Sequence, residues 1–418
     1  MAIAGVPFDF VLFALTLLGV ALLHSRTLQV ALAGAAAITL YQGLVTGFKT
    51  GAGLAGLEAH LGHEWVTLAN LLGLLVGFAL LADQFEKSRV PDVLPNYLPD
   101  DWKGGFVLLA GVFVMSAFLD NIAAAMIGGA MAAVVFKHRV YIGYLAAIVA
   151  ASNAGGAGSV VGDTTTTMMW IAGANPLWVL EAYVGGGVAL VIFGVIAARQ
   201  QHEGNDGQPH AIDHRTRRGV FLDRLKRMLL AAIGVNVWCN LNAPRLLDHF
   251  PVIGLAVVAA VFFSAPLRAP NWGLLPGAFK GSLFLLALVW CASLMPVQDL
   301  PAASWPTALG LGFVSAVFDN IPLTALAIRQ DGYDWGFLAY AVGFGGSMIW
   351  FGSSAGVALS NQYPQAKSVG AWLQGGWHVA VAYVVGFFVM LAVIGWHGHP
   401  INERNANPAA VITPAVKP

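Results

Sequence analysis

Charge is what this sequence has least of. Only 10% of its 418 residues are Asp, Glu, Lys or Arg, and 21 bases balance 21 acids. A balanced, charge-poor chain has no electrostatic footprint for nucleic acid, so none is expected as a partner. Cysteine is also scarce. The two present, Cys239 and Cys291, sit in apolar runs, which suits buried free thiols and not a disulfide framework. No His or Cys spacing matches a familiar metal site. His60, His63 and Glu64 crowd together but are expected in a wet extracellular loop, and His397 and His399 in an equally wet tail. No basic stretch precedes the first apolar run and no clear cleavage site follows it. That run is expected to be a retained membrane helix, not a removed signal.

What fills the space is apolar. The chain is 58% hydrophobic, with a mean hydropathy of +0.72. These values place it among all-α polytopic membrane proteins, lying in a lipid bilayer. About 20 apolar residues cross a bilayer, and runs of that kind fall at 7–24, 28–48 and 66–84. The stretch 104–136 is too long for one span and is interrupted by Asp120-Asn121. It reads as a re-entrant hairpin of two half-helices. The span 141–173 holds four glycines between 155 and 162, which a helix tolerates poorly. It reads as a broken helix, and 176–198 as the next crossing. A hydrophilic linker, 199–227, carries seven of the 21 Lys and Arg residues. Beyond it come 228–242, 252–265 and 273–295, a second interrupted stretch at 306–328 around Asp319-Asn320, a second broken helix at 336–361, and 372–396. A polar tail, 397–418, ends the chain.

The two halves match. Ser116-Ala117-Phe118-Leu119-Asp120-Asn121-Ile122 returns as Ser315-Ala316-Val317-Phe318-Asp319-Asn320-Ile321. Gly155-Gly156 with Gly162-Asp163-Thr164 returns as Gly345-Gly346 with Gly352-Ser353-Ser354. Paired interruptions of this kind point to a transporter binding site at the repeat interface. Five crossings plus one re-entrant hairpin per half give two inverted repeats, 1–198 and 228–396. On that topology Lys49, Arg245, Arg329, Arg404 and Lys417 share one side, and the other 16 Lys and Arg lie opposite. The positive-inside rule then makes the linker cytoplasmic and puts both termini outside.

Three acids, Asp120, Asp163 and Asp319, are thereby expected at membrane depth, where a carboxylate is a functional-site hypothesis by default. Asn121, Asn153, Asn320, Ser159, Ser353, Ser354 and Thr164 to Thr167 accompany them. These are hard oxygen ligands, suited to a hard cation. No Lys or Arg falls within the broken segments to serve an anion. Burial disfavours an ionised carboxylate, so one group can hold a proton and a small metal ion by turns. Exchange of cation for proton follows if the site faces the two sides alternately. Two plainer readings stand beside this one: the Asp-Asn pairs can cap half-helices, and the threonines can satisfy helix carbonyls. Enzymatic activity is not expected, and a channel would need one continuous path.

The run Ser152 to Trp170, together with the two Asp-Asn-Ile tips, resembles the NhaD-type sodium/proton antiporters of the ion transporter superfamily. The resemblance covers nearly the whole chain. It implies a multi-pass protein of the bacterial inner membrane that moves sodium or lithium outward against protons and has no cofactor. It maps functional polar positions onto Asp120, Asn121, Asn153, Asp163, Thr165, Thr166, Asp319, Asn320 and Ser354. It also implies a homodimer with an elevator-like cycle, the early helices of each half forming a fixed scaffold and the hairpins with the broken helices forming the moving unit. The wider superfamily carries carboxylates and metalloid oxyanions as well, so an anion carrier is the alternative.

Overall fold

The computed structural model describes residues 2–3, 6–23, 26–86, 98–99, 101–204, 250–264, 270–297 and 300–400. The run expected at 228–242, Cys239, and the tail beyond 400 lie outside the described residues. Apart from a two-residue ladder between Ala2–Ile3 and Val6–Pro7, the elements among the described residues are helical.

Three helices open the chain: α1 (Phe8–Leu22), α2 (Thr27–Tyr41) and α3 (Gly53–Glu86). A π-helical turn, Gln42–Thr46, extends α2. The first interrupted stretch is α4 (Trp102–Ser116) and α5 (Asn121–Val135). The first broken helix is α6 (Ile142–Ala157) and α7 (Thr164–Ala172), followed by α8 (Pro176–Val179) and α9 (Ala182–Gly204). The later half supplies α10 (Val252–Ser264), α11 (Leu275–Ser293), α12 (Trp305–Ser315), α13 (Asn320–Gln330), α14 (Trp335–Gly345), α15 (Ser354–Gln362) and α16 (Val369–Val393). Among the described residues, four continuous stretches are long and apolar enough to cross a membrane: Thr27–Thr46, Pro176–Gly204, Trp272–Ser293 and Val369–Val393.

The helix ends have local causes. Ser304 and Thr307 form a capping box at the start of α12, with Pro306 in the first turn. Proline fits there because its missing N–H would have had no helical partner. Asn175 caps α8 ahead of Pro176. α7 stops at Gly173, whose φ of +117° is cheap only for glycine.

Apolar side chains divide into two cores. The larger is built from α4 to α9 and α12 to α16. At its centre α6 and α14 are buried on every side, which is why neither shows an amphipathic stripe. The smaller core joins α1 to α3 with α11, and takes in Met168 of α7 and Ile321, Ala325 and Leu326 of α13. α10 lies on α3, where Gly254 N–H donates to Asn70 at 2.9 Å. An ion pair between Arg329, closing α13, and buried Glu64 of α3 also joins the two cores.

Three expectations need correction. α3 begins at Gly53, not near 66, so His60 and Glu64 lie in a helix and are buried; only His63 of that trio is exposed. Partners make this tolerable, since buried polar groups need them: His60 pairs with Ser293 at 2.9 Å and Glu64 with Arg329. α9 continues to Gly204, into the expected linker. Gln201 is buried there, donating to the Arg139 carbonyl and accepting from Tyr141 N–H. The start of the tail is pinned: Asp334 accepts from His397 N–H at 2.8 Å, and the His399 ring stacks on Trp178 at 4.1 Å.

Candidate cation site between the broken helices

The site is made of helix starts. α5, α7, α13 and α15 begin at Asp120, Asp163, Asp319 and Ser353, and each of those side chains accepts from the first turn that follows. The partial positive charge of a helix N-terminus favours a carboxylate in such a place. Three of these positive ends are thus met by the protein's own acids, and the fourth by a serine hydroxyl.

The two halves build their starts alike. Asp120 and Asp319 have φ,ψ of −52°,141° and −52°,139°; Asp163 and Ser353 have −139°,144° and −142°,153°. Ser116 Oγ donates to the Ser152 carbonyl, and Ser315 Oγ to the Val342 carbonyl. Gly155 and Gly345 let α4 and α12 close in: a Cβ there would stand 2.0 Å from the Phe113 oxygen and 2.3 Å from the Gly312 oxygen.

Every residue singled out from the sequence lies in this region. Asn121 Nδ2 donates to Asn153 Oδ1 at 3.0 Å. Asn153 Nδ2 reaches across to the other half, to Ser347 Oγ at 2.9 Å and Ser353 Oγ at 3.0 Å. Ser354 Oγ donates to Asp319 Oδ2 at 3.1 Å. Asp163 Oδ1 accepts Thr165 N–H at 3.0 Å, while Asp163 Oδ2 is buried without a hydrogen-bond partner. Thr165 Oγ1 is buried beside that carboxylate and interacts with it, and Asn320 Nδ2 is buried and unpartnered. Asp120 and Asp319 both lie within electrostatic range of Asp163.

Two hydroxyls of the set give their protons to carbonyls of the break. Thr166 Oγ1 donates to the carbonyls of Ser159 and Asp163, and Thr167 Oγ1 to those of Val160 and Asp163. Both tie the break to the first turn of α7, and their oxygen lone pairs still face other partners. Among the described residues no three His, Cys, Asp or Glu side chains gather closely enough to hold a metal ion. The arrangement is one buried acid among amides and hydroxyls, with two further acids near it. Ser347 and Gly343, both on the path between the halves, escaped the sequence reading. Superposing Gly345-Gly346 on Gly155-Gly156 would have set them against Ala157 and Asn153.

No protein-family model matches the chain. Curated proteins do. It is 28% identical over 373 residues to "Na(+)/H(+) antiporter NhaD" of Alkalimonas amylolytica, covering 73% of each chain. It is 25% identical over 370 residues to the protein of the same name in Vibrio parahaemolyticus, covering 72% of this chain and 84% of that one. "Sodium/proton antiporter 1" of Arabidopsis thaliana is 25% identical over 333 residues, which is 70% of this chain but only 54% of the plant protein's length. Matches of that extent include parts of both halves, and they support an NhaD-type sodium/proton antiporter family for the chain.

Proposed function

We propose that this protein exchanges sodium, or lithium, for protons across a membrane, with Asp163 as the group that holds either cation. The observation that carries the reading is the lone Asp163 Oδ2, withdrawn from water and left without a donor. Buried polar atoms are almost always paired, and a carboxylate oxygen accepts only a proton-bearing donor or a metal ion. The relatives' names agree, since each is called a sodium/proton antiporter. Asp120, Asp319 and the surrounding amides and hydroxyls set the field and the remaining ligands.

Alternating access follows an elevator-like route on this reading. The larger core, with both interrupted stretches and both broken helices, moves against the smaller one. In its favour are the separate apolar cores and the position of α7 and α13 at their boundary. α9 and α16 pack within the larger core and so travel with it. The two halves are inverted repeats, and α4–α5 and α12–α13 are re-entrant hairpins opening to opposite faces. Contacts at the two ends favour this topology. Segments assigned outside meet one another, as in Trp178 with His399 and Asp334 with His397. Those assigned inside do the same, as in Tyr141 with Gly204 and Trp102 with Arg199. The bacterial inner membrane, outward termini and a homodimer complete the proposal.

The test is a pH dye in inside-acid vesicles holding the purified protein. Addition of sodium or lithium is expected to dequench the dye, and citrate to do nothing. A response to citrate alone would establish the anion carrier instead.

A further inference from the structure

At the end assigned outside, the smaller core is knitted by uncharged bonds. Trp290 of α11 donates to Thr39 of α2 at 2.9 Å, Gln42 donates to the Leu294 carbonyl, and His60 of α3 pairs with Ser293. The chain between α2 and α3 turns tightly there. Phe48 and Gly51 exchange both backbone hydrogen bonds, at 2.7 and 3.0 Å, and Thr50 Oγ1 donates to the Gly56 carbonyl. The Phe48 ring stacks on His60 at 6.1 Å. Lys49, exposed in that turn, is thereby fixed in the same frame as α3.

Glu64 lies one turn beyond His60 on the same face of α3. Its partner comes from the other core: Arg329, in the last turn of α13. The two side chains are 4% and 21% exposed, so the pair is largely withdrawn from water. It is unlike the pair of Lys103 with Asp101, which is exposed and joins residues two apart. Elsewhere α13 meets the smaller core through Ile321, Ala325 and Leu326. Apolar contact has no direction and can slide. An ion pair cannot, because its energy falls with separation and a buried charge left alone is heavily penalised. Lys49 stands within electrostatic range of both Glu64 and Arg329.

We propose that Glu64 and Arg329 form a latch that holds the larger core at one end of its travel, and that Glu64 passes from Arg329 to Lys49 when the core moves. The inference rests on the elevator-like route and names a contact that gates it. Glu64 and Lys49 belong to one frame, while Arg329 travels with α13. The flexible lysine stem swings its ammonium onto the carboxylate as the guanidinium leaves. Hand-over keeps the acid paired at both ends of the stroke, so no bare buried carboxylate has to form on the way. Arg329 and Lys49 are positioning residues: they act on the access of the cation site and not on its ligands.

Two arms test it on the full-length protein, with exchange read in vesicles and radioactive sodium binding in detergent. Lys49→Gln removes the second partner from an exposed position. Exchange is expected to slow about tenfold, with sodium affinity unchanged and the rate restored by Lys49→Arg. An unchanged rate in Lys49→Gln, or a fall in affinity equal to the fall in rate, overturns the latch. In the second arm Glu64→Cys with Arg329→Cys is bridged by a bis-methanethiosulfonate, tying α3 to α13. The bridged protein is expected to bind sodium, to exchange none, and to recover on reduction. Glu64→Cys alone, given the same reagent, controls for Cys239 and Cys291. Full exchange by the bridged protein overturns the elevator-like route together with the latch. A bridge that blocks exchange beside an unaffected Lys49→Gln leaves the route standing and overturns the latch alone. Where the double variant does not fold or bridge, Lys49→Gln decides. Wild-type protein that exchanges no sodium overturns the cation/proton reading itself.

Discussion

The two halves of the site share a backbone and differ in chemistry. Asp120 and Asp319 cap α5 and α13 with φ,ψ values agreeing to within 2°. Ser116 and Ser315 make equivalent bonds. Against this sameness stand Asn153 with Gly343, Asp163 with Ser353, and Ala157 with Ser347. Repeated residues break the helices at the same points, and the unrepeated ones give the two sides different chemistry. A framework built twice needs to be specialised only once.

The largest effect should come from erasing the sharpest of these differences. Asp163→Asn retains a good helix cap but removes the one buried acid oxygen left without a hydrogen bond among the described residues. Sodium-driven dequenching is expected to vanish, with the thermal transition unchanged or raised because an uncompensated buried acid is gone. Normal exchange by this variant would end the cation/proton reading. Asp120→Asn and Asp319→Asn also keep their caps and act only through the field at Asp163. Each is expected to weaken sodium by about threefold to tenfold, equivalent to roughly 1 kcal/mol at partly screened range. Unequal losses would show which of the two aspartates stands nearer the ion.

A further step breaks the filled side. Asn153→Ala strands the amide of Asn121 and two serine hydroxyls inside the larger core. Unpaired buried groups cost about 1–3 kcal/mol, so the melting temperature should fall clearly. In the wild type α6 is joined there to Ser347 and Ser353. An unchanged melting temperature would mean that Asn153 does not tie the halves, and would return it to the pool of ligands.

Much of this was legible in the sequence, for definite reasons. Glycines and Asp-Asn pairs within apolar runs marked the breaks, because each interrupts a helix by a local mechanism that needs no partner elsewhere. Asp163 stood out because its repeat mate is a serine. The function of Thr166 and Thr167 could not be separated beforehand, since a hydroxyl suits a carbonyl and a cation equally. Glu64 and His60 were misplaced for a related reason: their partners, Arg329 and Ser293, lie more than 230 residues away in the chain. A polar residue without a visible partner reads as solvent-exposed.

The smallest effect tests the comparison itself. Ser116 and Ser315 are both wholly buried, and each donates one hydrogen bond to a carbonyl of its own broken helix. Removing the hydroxyl leaves that carbonyl one donor poorer, worth about 1 kcal/mol. Ser116→Ala and Ser315→Ala should therefore lower stability by similar amounts, within about 0.5 kcal/mol of each other, the usual margin for independent sites. Melting curves of the two variants in one detergent give the measurement. A large inequality would mean that the halves match in outline but bear load differently. The residue-by-residue comparison of the two broken helices would then lose the equivalence it depends on. Equal losses would leave the ion's place to be decided by the residues in which the halves disagree.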